Sequence, residues 1–112
     1  MQRNILKVLK RSKIVAKIIS VDFDGTAGYS RLKIRAKLAN GWQFQVWEHE
    51  TPVARQYAYH VFDADAMVMR WDNAPHHRDI STFPYHKHVG EEIAESEEMQ
   101  ISDVLAELEK ML

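Results

Sequence analysis

Residues 31–48 read RLKIRAKLANGWQFQVWE, and this stretch decides the fold. Basic and apolar side chains alternate without exception over residues 31–38, which predicts a strand with one buried face and one basic face. Asn40-Gly41 then gives a strong hairpin signal, because a type I′ turn requires a positive φ at both of its central positions. A second strand is predicted over residues 42–48, so the stretch as a whole indicates an antiparallel hairpin.

Segments on both sides extend this hairpin into a larger sheet. The density of β-branched residues over 14–23 predicts a well-buried strand before it. Residues 56–62 and 67–72 predict two strands after it, and residues 91–95 are a candidate for a sixth, short edge strand. Since short turns join most of these segments, the sheet is expected to be an antiparallel meander.

A helix is predicted at each end of the chain. Residues 2–11 carry apolar side chains at helical spacing among basic ones, and residues 102–112 carry an apolar stripe with Ser102 as the N-cap. The predicted fold is therefore α+β: a curved antiparallel meander of five to six strands, with the short N-terminal helix and the C-terminal helix packed on one face. The length fits a single domain, residues 1–112.

The composition is typical of a globular protein, with 46% hydrophobic and 28% charged residues. The absence of cysteine excludes disulfides, thiolate nucleophiles and zinc–thiolate sites. Basic residues interrupt the apolar residues near the N-terminus, so the sequence shows neither a signal-peptide core nor a membrane-spanning segment. We therefore expect a cytoplasmic protein with no membrane partner.

The net charge of −1 hides an uneven distribution of charged residues. Basic residues dominate positions 1–37, whereas positions 91–109 hold acidic residues and no basic one. This asymmetry indicates either an anionic partner for the basic part or electrostatic attraction between the two parts of one fold. The sequence leaves both interpretations open.

Residues 72–89 read DNAPHHRDISTFPYHKHV, and this predicted loop contains four of the six histidines. Histidine titrates near neutrality, so such a cluster suits proton transfer, metal binding or a pH switch. RNA cleavage without a metal needs a base for the 2′-hydroxyl, an acid for the leaving 5′-oxygen and a cation beside the developing phosphorane charge. The candidate catalytic residues are Arg70, Asp72, His76, His77, His86 and His88.

A second group of basic residues is expected to bind the phosphodiester backbone, because neutralised phosphates release their counterions. These candidate RNA-binding residues are Arg31, Lys33, Arg35, Lys37, Arg78 and Lys87. Alternating basic residues are also typical of a solvated strand face or of protection against edge pairing. Stacking of a base on Trp47 or Tyr85 is a further option.

Two other roles for the histidine-rich segment stay open. His86 and His88, at i and i+2, would lie on one side of an extended strand and would form a three-ligand metal site with Asp72 or His76. Nearby basic side chains argue against a bound cation, so we predict no metal and no cofactor. The other role is a purely structural loop held by hydrogen bonds. The remaining histidines, which stand alone on predicted strands and are expected to be structural, are His49 and His60.

A resemblance to a known family lies in residues 70–77, RWDNAPHH, and residues 82–88, TFPYHKH, which are similar to the signature of TumE-like toxins. The strand NGWQFQVWE, the strand YAYH and the acidic C-terminal helix follow in the family's order, so the resemblance covers nearly the whole chain. Trp71 departs from it, because a tyrosine is expected there. The matching motif residues are Arg70, Asp72, Asn73, Pro75, His76, His77, Pro84, His86 and His88.

This resemblance implies a small cytoplasmic toxin of a bacterium or archaeon, one half of a type II toxin-antitoxin system that a cognate antitoxin neutralises. A helix followed by an antiparallel meander is also similar to RelE-like and barnase-like ribonucleases. We therefore expect a toxin that acts on RNA as a metal-independent ribonuclease through its histidine-rich loop. The alternative is a non-catalytic or metal-stabilised binding module whose histidine loop docks a protein partner. The oligomeric state stays open, and a homodimer is compatible with the sequence.

Overall fold

The computed structural model describes residues 4–112, in which a single open antiparallel sheet of seven strands is accompanied by two helices. In chain order the elements are α1 (Ile5–Arg11), β1 (Val15–Thr26), β2 (Tyr29–Leu38), β3 (Gln43–Glu50), β4 (Arg55–Asp63), β5 (Ala66–Asp72), β6 (His86–Val89), β7 (Glu92–Glu95) and α2 (Ile101–Met111). The strands lie side by side in sequence order, so each pairs only with its neighbours in the chain. The predicted α+β meander is confirmed, whereas the predicted count of five to six strands is wrong.

β6 is the strand that the sequence pattern did not reveal. It pairs with β5 so that His86 lies opposite Asp72 and His88 lies opposite Arg70. The prediction of a loop throughout residues 72–89 is therefore wrong for the last part of that segment, because a strand of four residues is too short to give a periodic signal. As a consequence, two of the clustered histidines are held by the sheet.

The turn between β2 and β3 lies where it was predicted, but it is not a type I′ turn. Gly41 has a φ of 94°, whereas Asn40 is not among the residues with a positive φ. The Gly41 N–H donates to the Leu38 carbonyl at 3.0 Å, and the Trp42 N–H donates to Asn40 Oδ1 at 3.1 Å. A three-residue turn that ends in a left-handed glycine thus closes the same hairpin.

β1 is an edge strand and largely exposed, so its prediction as a well-buried strand is wrong. The exposed fractions are 55% for Ile19, 44% for Val21 and 62% for Phe23. β-branched residues favour a pleated strand but do not distinguish an edge position from a central one. α1 packs against β1, yet the second half of the strand stays uncovered.

Both helices pack on one face of the sheet, as predicted. The central strands direct a row of fully buried residues to this face, and register places them side by side: Ile34, Val46, Tyr59 and Trp71. Fully buried residues of α1 and α2 complete the core: Leu9, Val104 and Leu108. Burial of these apolar side chains is the main stabilising contribution to the fold.

α2 begins at Ile101, and its N-cap is Gln100, so the prediction of Ser102 as N-cap is wrong. The side chains of Gln100 and Asp103 form a reciprocal capping box, in which the Gln100 N–H donates to Asp103 Oδ2 at 2.8 Å. An N-cap at Ser102 would place Leu105 at the third helical position, where an apolar side chain has no group to complete the box.

A buried polar cluster joins this apolar face to the segment that precedes α2. Arg55 donates to Tyr59 Oη at 2.7 Å and to the Met99 carbonyl at 2.9 Å, and Tyr59 donates to the Glu48 carboxylate. Burial raises the pKa of Tyr59, and the adjacent Glu48 carboxylate raises it further. Because Glu48 is only 2% exposed, the guanidinium of Arg55 is needed to offset its buried charge.

The opposite face of the sheet is polar, and the two described helices leave it open. Register aligns one residue from each of five adjacent strands across this face: Lys33, Trp47, Ala58, Asp72 and His86. We call it the polar face. It carries most of the residues that the sequence marks as functional.

Candidate histidine and carboxylate site

Asp72, at the end of β5, is the centre of the site on the polar face. Its side chain is only 3% exposed, and its Oδ1 lies 3.0 Å from His86 Nε2 while its Oδ2 lies 3.5 Å from His88 Nε2. The backbone N–H of Ala74 donates to Oδ1 at 3.0 Å and helps to fix the orientation of the carboxylate. The pairing of β5 with β6 creates this arrangement, because it sets both histidines beside Asp72 on one face.

Arg70 pairs with the same carboxylate. Its Nε lies 2.9 Å from Asp72 Oδ2 but the N–H is not aimed at the oxygen, so the contact is an ion pair without a hydrogen bond. The Arg70 side chain is 40% exposed, so its guanidinium is accessible from the surface while Asp72 restrains it. A cation held in this way is suited to bind a phosphate.

Three histidines form a cluster beside Asp72. The ring centroid of His77 lies 4.8 Å from that of His86 and 5.6 Å from that of His88, and the centroids of His86 and His88 are 5.0 Å apart. His86 is 2% exposed, and its Nδ1 lies 2.9 Å from the Pro84 carbonyl oxygen. Because a carbonyl only accepts, Nδ1 carries the proton, and this hydrogen bond turns Nε2 toward Asp72.

Burial changes the ionisation of two histidines on the polar face. It lowers the pKa of His88, against the opposing effect of the Asp72 carboxylate. It also lowers the pKa of His60, and the positive charge of Arg70 adds to this effect. Both imidazoles therefore favour the neutral form at pH 7, with a nitrogen lone pair available.

A cleft of about 450 Å³ adjoins the site and shares Arg70 and Asp72 with it. Its other lining residues include Trp47, His60 and His76. Among the described residues, the buried Nε2 of His60 has no hydrogen-bond partner. A buried polar atom of this kind is an available contact for a bound molecule.

The structure brings most of the predicted catalytic residues together. Arg70, Asp72, His77, His86 and His88 form one cluster, whereas His76 is exposed and lines the cleft instead. In the metal site considered from the sequence, His77 therefore takes the place of His76. The nitrogens of His77, His86 and His88 lie within 4.8 Å of one another and are able to hold a metal ion.

Sequence reasoning treated His60 as structural, yet it lies on the polar face opposite Arg70. The strand pattern around it contained the signal. Buried Tyr57, Tyr59 and Val61 alternate with half-buried or exposed neighbours, so His60 must point away from the core. Alternation along β4 was thus sufficient to place His60 on the polar face.

The predicted RNA-binding residues of β2 lie on the polar face, as their alternation required. They are Arg31, Lys33, Arg35 and Lys37. Acidic residues of the edge strand β1 lie next to them: Arg31 is 3.8 Å from Asp24, and Lys33 lies opposite Asp22 in the register. A second cleft, of about 420 Å³, lies between these charges and Trp47.

The other two predicted RNA-binding residues lie elsewhere. Lys87 points to the helix-covered face, where its Nζ is 3.7 Å from a carboxylate oxygen of Glu107 on α2. Arg78 sits in the loop between β5 and β6 with its guanidinium 5.7 Å from the centre of the Phe83 ring. Lys87 therefore contributes no positive charge to the histidine cluster.

In the part that the structure describes, neither helix has the length and apolar character needed to cross a membrane. Curated proteins and solved structures give no match. A family model described as Toxin TumE matches residues 5–112. Because this match spans nearly the whole chain, the chain belongs to the TumE toxin family.

Proposed function

We propose that this toxin acts on RNA in the cytoplasm and cleaves it, without a metal ion, in the cleft beside Asp72. The observation that carries the proposal is the buried Asp72 carboxylate. It lines a cleft of about 450 Å³ together with Arg70, and it also contacts two histidines beside that cleft. A cation and several imidazoles are the groups that RNA cleavage by proton transfer requires. Membership of a toxin family gives such an activity a biological role.

The reaction begins with attack of the ribose 2′-oxygen on phosphorus. His88, 20% exposed and restrained by Asp72, takes the proton of the 2′-hydroxyl. The phosphorus–O5′ bond breaks, a 2′,3′-cyclic phosphate forms, and His76 at the exposed rim of the cleft donates a proton to the leaving 5′-oxygen. Arg70 stabilises the negative charge of the phosphorane. His86 is too deeply buried to touch RNA and acts by packing against Asp72.

RNA reaches this cleft across the polar face. Trp47 lies in one row with Lys33 and Asp72. A base stacked on its indole would therefore place one neighbouring phosphate near the basic residues of β2 and the other near Arg70. The cognate antitoxin, in this proposal, neutralises the toxin by covering the same polar face. Charge complementarity with the basic β2 residues would speed that association at low salt.

Cleavage of a mixed RNA substrate in the presence of a chelator tests the proposal. We expect wild-type protein to generate 2′,3′-cyclic phosphate ends, and the single substitutions His76→Ala and Arg70→Ala to reduce the rate by about 10²-fold or more. His49→Gln is the matched control, because this histidine lies near the end of β3 and does not line the cleft. Its rate should equal that of the wild type.

Two results would count against the proposal. RNA that the wild-type toxin leaves intact with and without added divalent metal favours the alternative, a non-catalytic binding module whose histidine loop docks a protein partner. Full activity in both folded variants would instead exclude His76 and Arg70 from the reaction and place cleavage at another site. Circular dichroism of each variant separates a lost catalytic group from a lost fold.

A further inference from the structure

We infer that His77, His86 and His88, with Asp72, form a binding site for a divalent transition-metal ion of the zinc class, and that the bound ion switches off RNA cleavage. The metal-binding part stands on the geometry of the cluster alone. The inhibitory part rests on the function proposed above.

Two of the distances between donor atoms are close to those of a tetrahedral site. Zinc–nitrogen and zinc–oxygen bonds of about 2.1 Å place neighbouring ligand atoms about 3.4 Å apart. The Asp72 oxygens already lie 3.0 Å and 3.5 Å from the Nε2 atoms of His86 and His88. The ligand nitrogen of His77 lies within 4.8 Å of those of His86 and His88. Because His77 is in the loop between β5 and β6, rotation of its side chain brings it to bonding distance of an ion held by the other ligands.

Surrounding hydrogen bonds orient two of the ligands. The proton on His86 Nδ1 is directed at the Pro84 carbonyl, which leaves Nε2 for the ion, and the Ala74 N–H holds Asp72 Oδ1. Metal-binding histidines usually donate their second ring N–H to a carbonyl or carboxylate in this manner. The site is therefore largely preorganised, since β5, β6 and their flanking backbone fix three of the four ligands.

The charges around the cluster permit a cation. Lys87, the adjacent base in sequence, is turned to the other face and paired with Glu107, whereas Glu95 lies opposite His86 on β7. Arg70 opposes a cation, but its half-exposed side chain is able to turn into the cleft and leave its place beside Asp72 to the ion. An imidazole-rich donor set selects zinc-class ions over magnesium, which prefers oxygen ligands.

A bound ion would remove the groups on which cleavage depends. It would bind His88 through Nε2 and so engage the imidazole that takes the proton of the 2′-hydroxyl. It would also engage the carboxylate that restrains Arg70. The toxin would then be inactive with metal bound and active once a chelator removes the metal.

Thermal melting of the full chain tests the binding part, with zinc chloride as probe and magnesium chloride as the comparison. At a zinc concentration about 100-fold above the dissociation constant, the wild-type Tm should rise by about 10 °C, whereas magnesium should leave it unchanged. His77→Ala and His88→Gln should each weaken zinc binding by at least about tenfold. His77 and His88 are only half-buried, so these substitutions should leave the fold intact.

His49→Gln, outside the cluster, should keep the full zinc-dependent rise in Tm. A wild-type Tm that zinc does not raise, or a rise that both cluster variants retain, would overturn the site. Cleavage assays with increasing zinc then test inhibition: the wild-type rate should fall as the site fills and return with chelator. Undiminished cleavage at saturating zinc overturns the inhibition alone, whereas an inactive wild-type protein that still binds zinc overturns the ribonuclease and leaves the metal site standing.

Discussion

Asp72 shows how one buried charge organises a surface. Its carboxylate contacts Arg70, His86 and His88, and these contacts replace the water that a buried charge loses. Removing one member of such a group is costly because it leaves the others without a partner. The side chain that touches no RNA in the proposed reaction is thus the one on which the whole arrangement depends.

At this scale we expect Asp72→Asn to reduce kcat for RNA cleavage by about 10²-fold or more, while the affinity for RNA changes little. The amide keeps the shape of the carboxylate but loses the charge that restrains Arg70 and His88, at a cost in stability of about 1–3 kcal/mol. Single-turnover cleavage, RNA binding and chemical denaturation give the three quantities. Asp63→Asn, an exposed carboxylate at the end of β4, is the control that should leave all of them unchanged. Normal kcat in a folded Asp72→Asn protein would remove Asp72 from the mechanism.

The histidine site was only partly predictable from the sequence. The density of histidines between residues 72 and 89 indicates the segment that holds the three clustered histidines, but no local pattern distinguishes His76 from His77. Adjacent residues point in different directions, and only the fold places His77 against His86 while His76 lines the cleft. Alternation along β4 directs His60 away from the core, but only the cross-strand register sets it opposite Arg70.

At the scale of elements, the basic alternation of β2 leads to a second prediction. Replacing Lys33 and Arg35 together with alanine should weaken RNA binding and reduce the slope of log affinity against log salt by roughly 1.4, which corresponds to two phosphate contacts on a single strand. Affinities measured at several salt concentrations give this slope. Lys7→Ala plus Lys10→Ala, on α1, removes the same charge from the other side of the sheet and should leave the slope unaltered. An unaltered slope in the β2 variant would identify its basic residues as ordinary solvated surface.

Predictability varied with the strength of the local signal in each element. β2 and β3 followed from strict alternation and a glycine turn, because these patterns depend on the chain alone. The exposure of β1 depends on where the helices end, and the existence of β6 depends on pairing with β5. Neither the exposure of β1 nor the existence of β6 is encoded in a short stretch of sequence, so only the assembled sheet reveals them.

For the whole molecule, buried tyrosines should set the stability at high pH. Burial raises the pKa of Tyr57 to about 12, whereas an unfolded tyrosine ionises near pH 10. The contribution of Tyr57 to stability is therefore complete below about pH 10 and falls as the pH rises toward 12, since the unfolded chain releases this proton first. Thermal melts from pH 8 to pH 11.5 should show this loss.

Tyr57→Phe should make the decline with pH shallower, although it also removes the oxygen that accepts the Met99 N–H and so lowers stability at neutral pH. Tyr29→Phe is the comparison, because this tyrosine is 39% exposed and should not alter the pH profile. An identical decline in all three proteins would mean that Tyr57 ionises as readily in the folded state as in the unfolded chain.

The pairing of every strand with its sequence neighbours has a consequence for synthesis on the ribosome. Because no early strand waits for a distant partner, the sheet can grow one strand at a time as the chain emerges, and local contacts of this kind favour rapid folding. β6, however, follows residue 85, so Asp72 meets His86 and His88 only when about three quarters of the described chain has been made. We therefore expect a nascent toxin to be folded in part but to lack the complete polar face until β6 has been made.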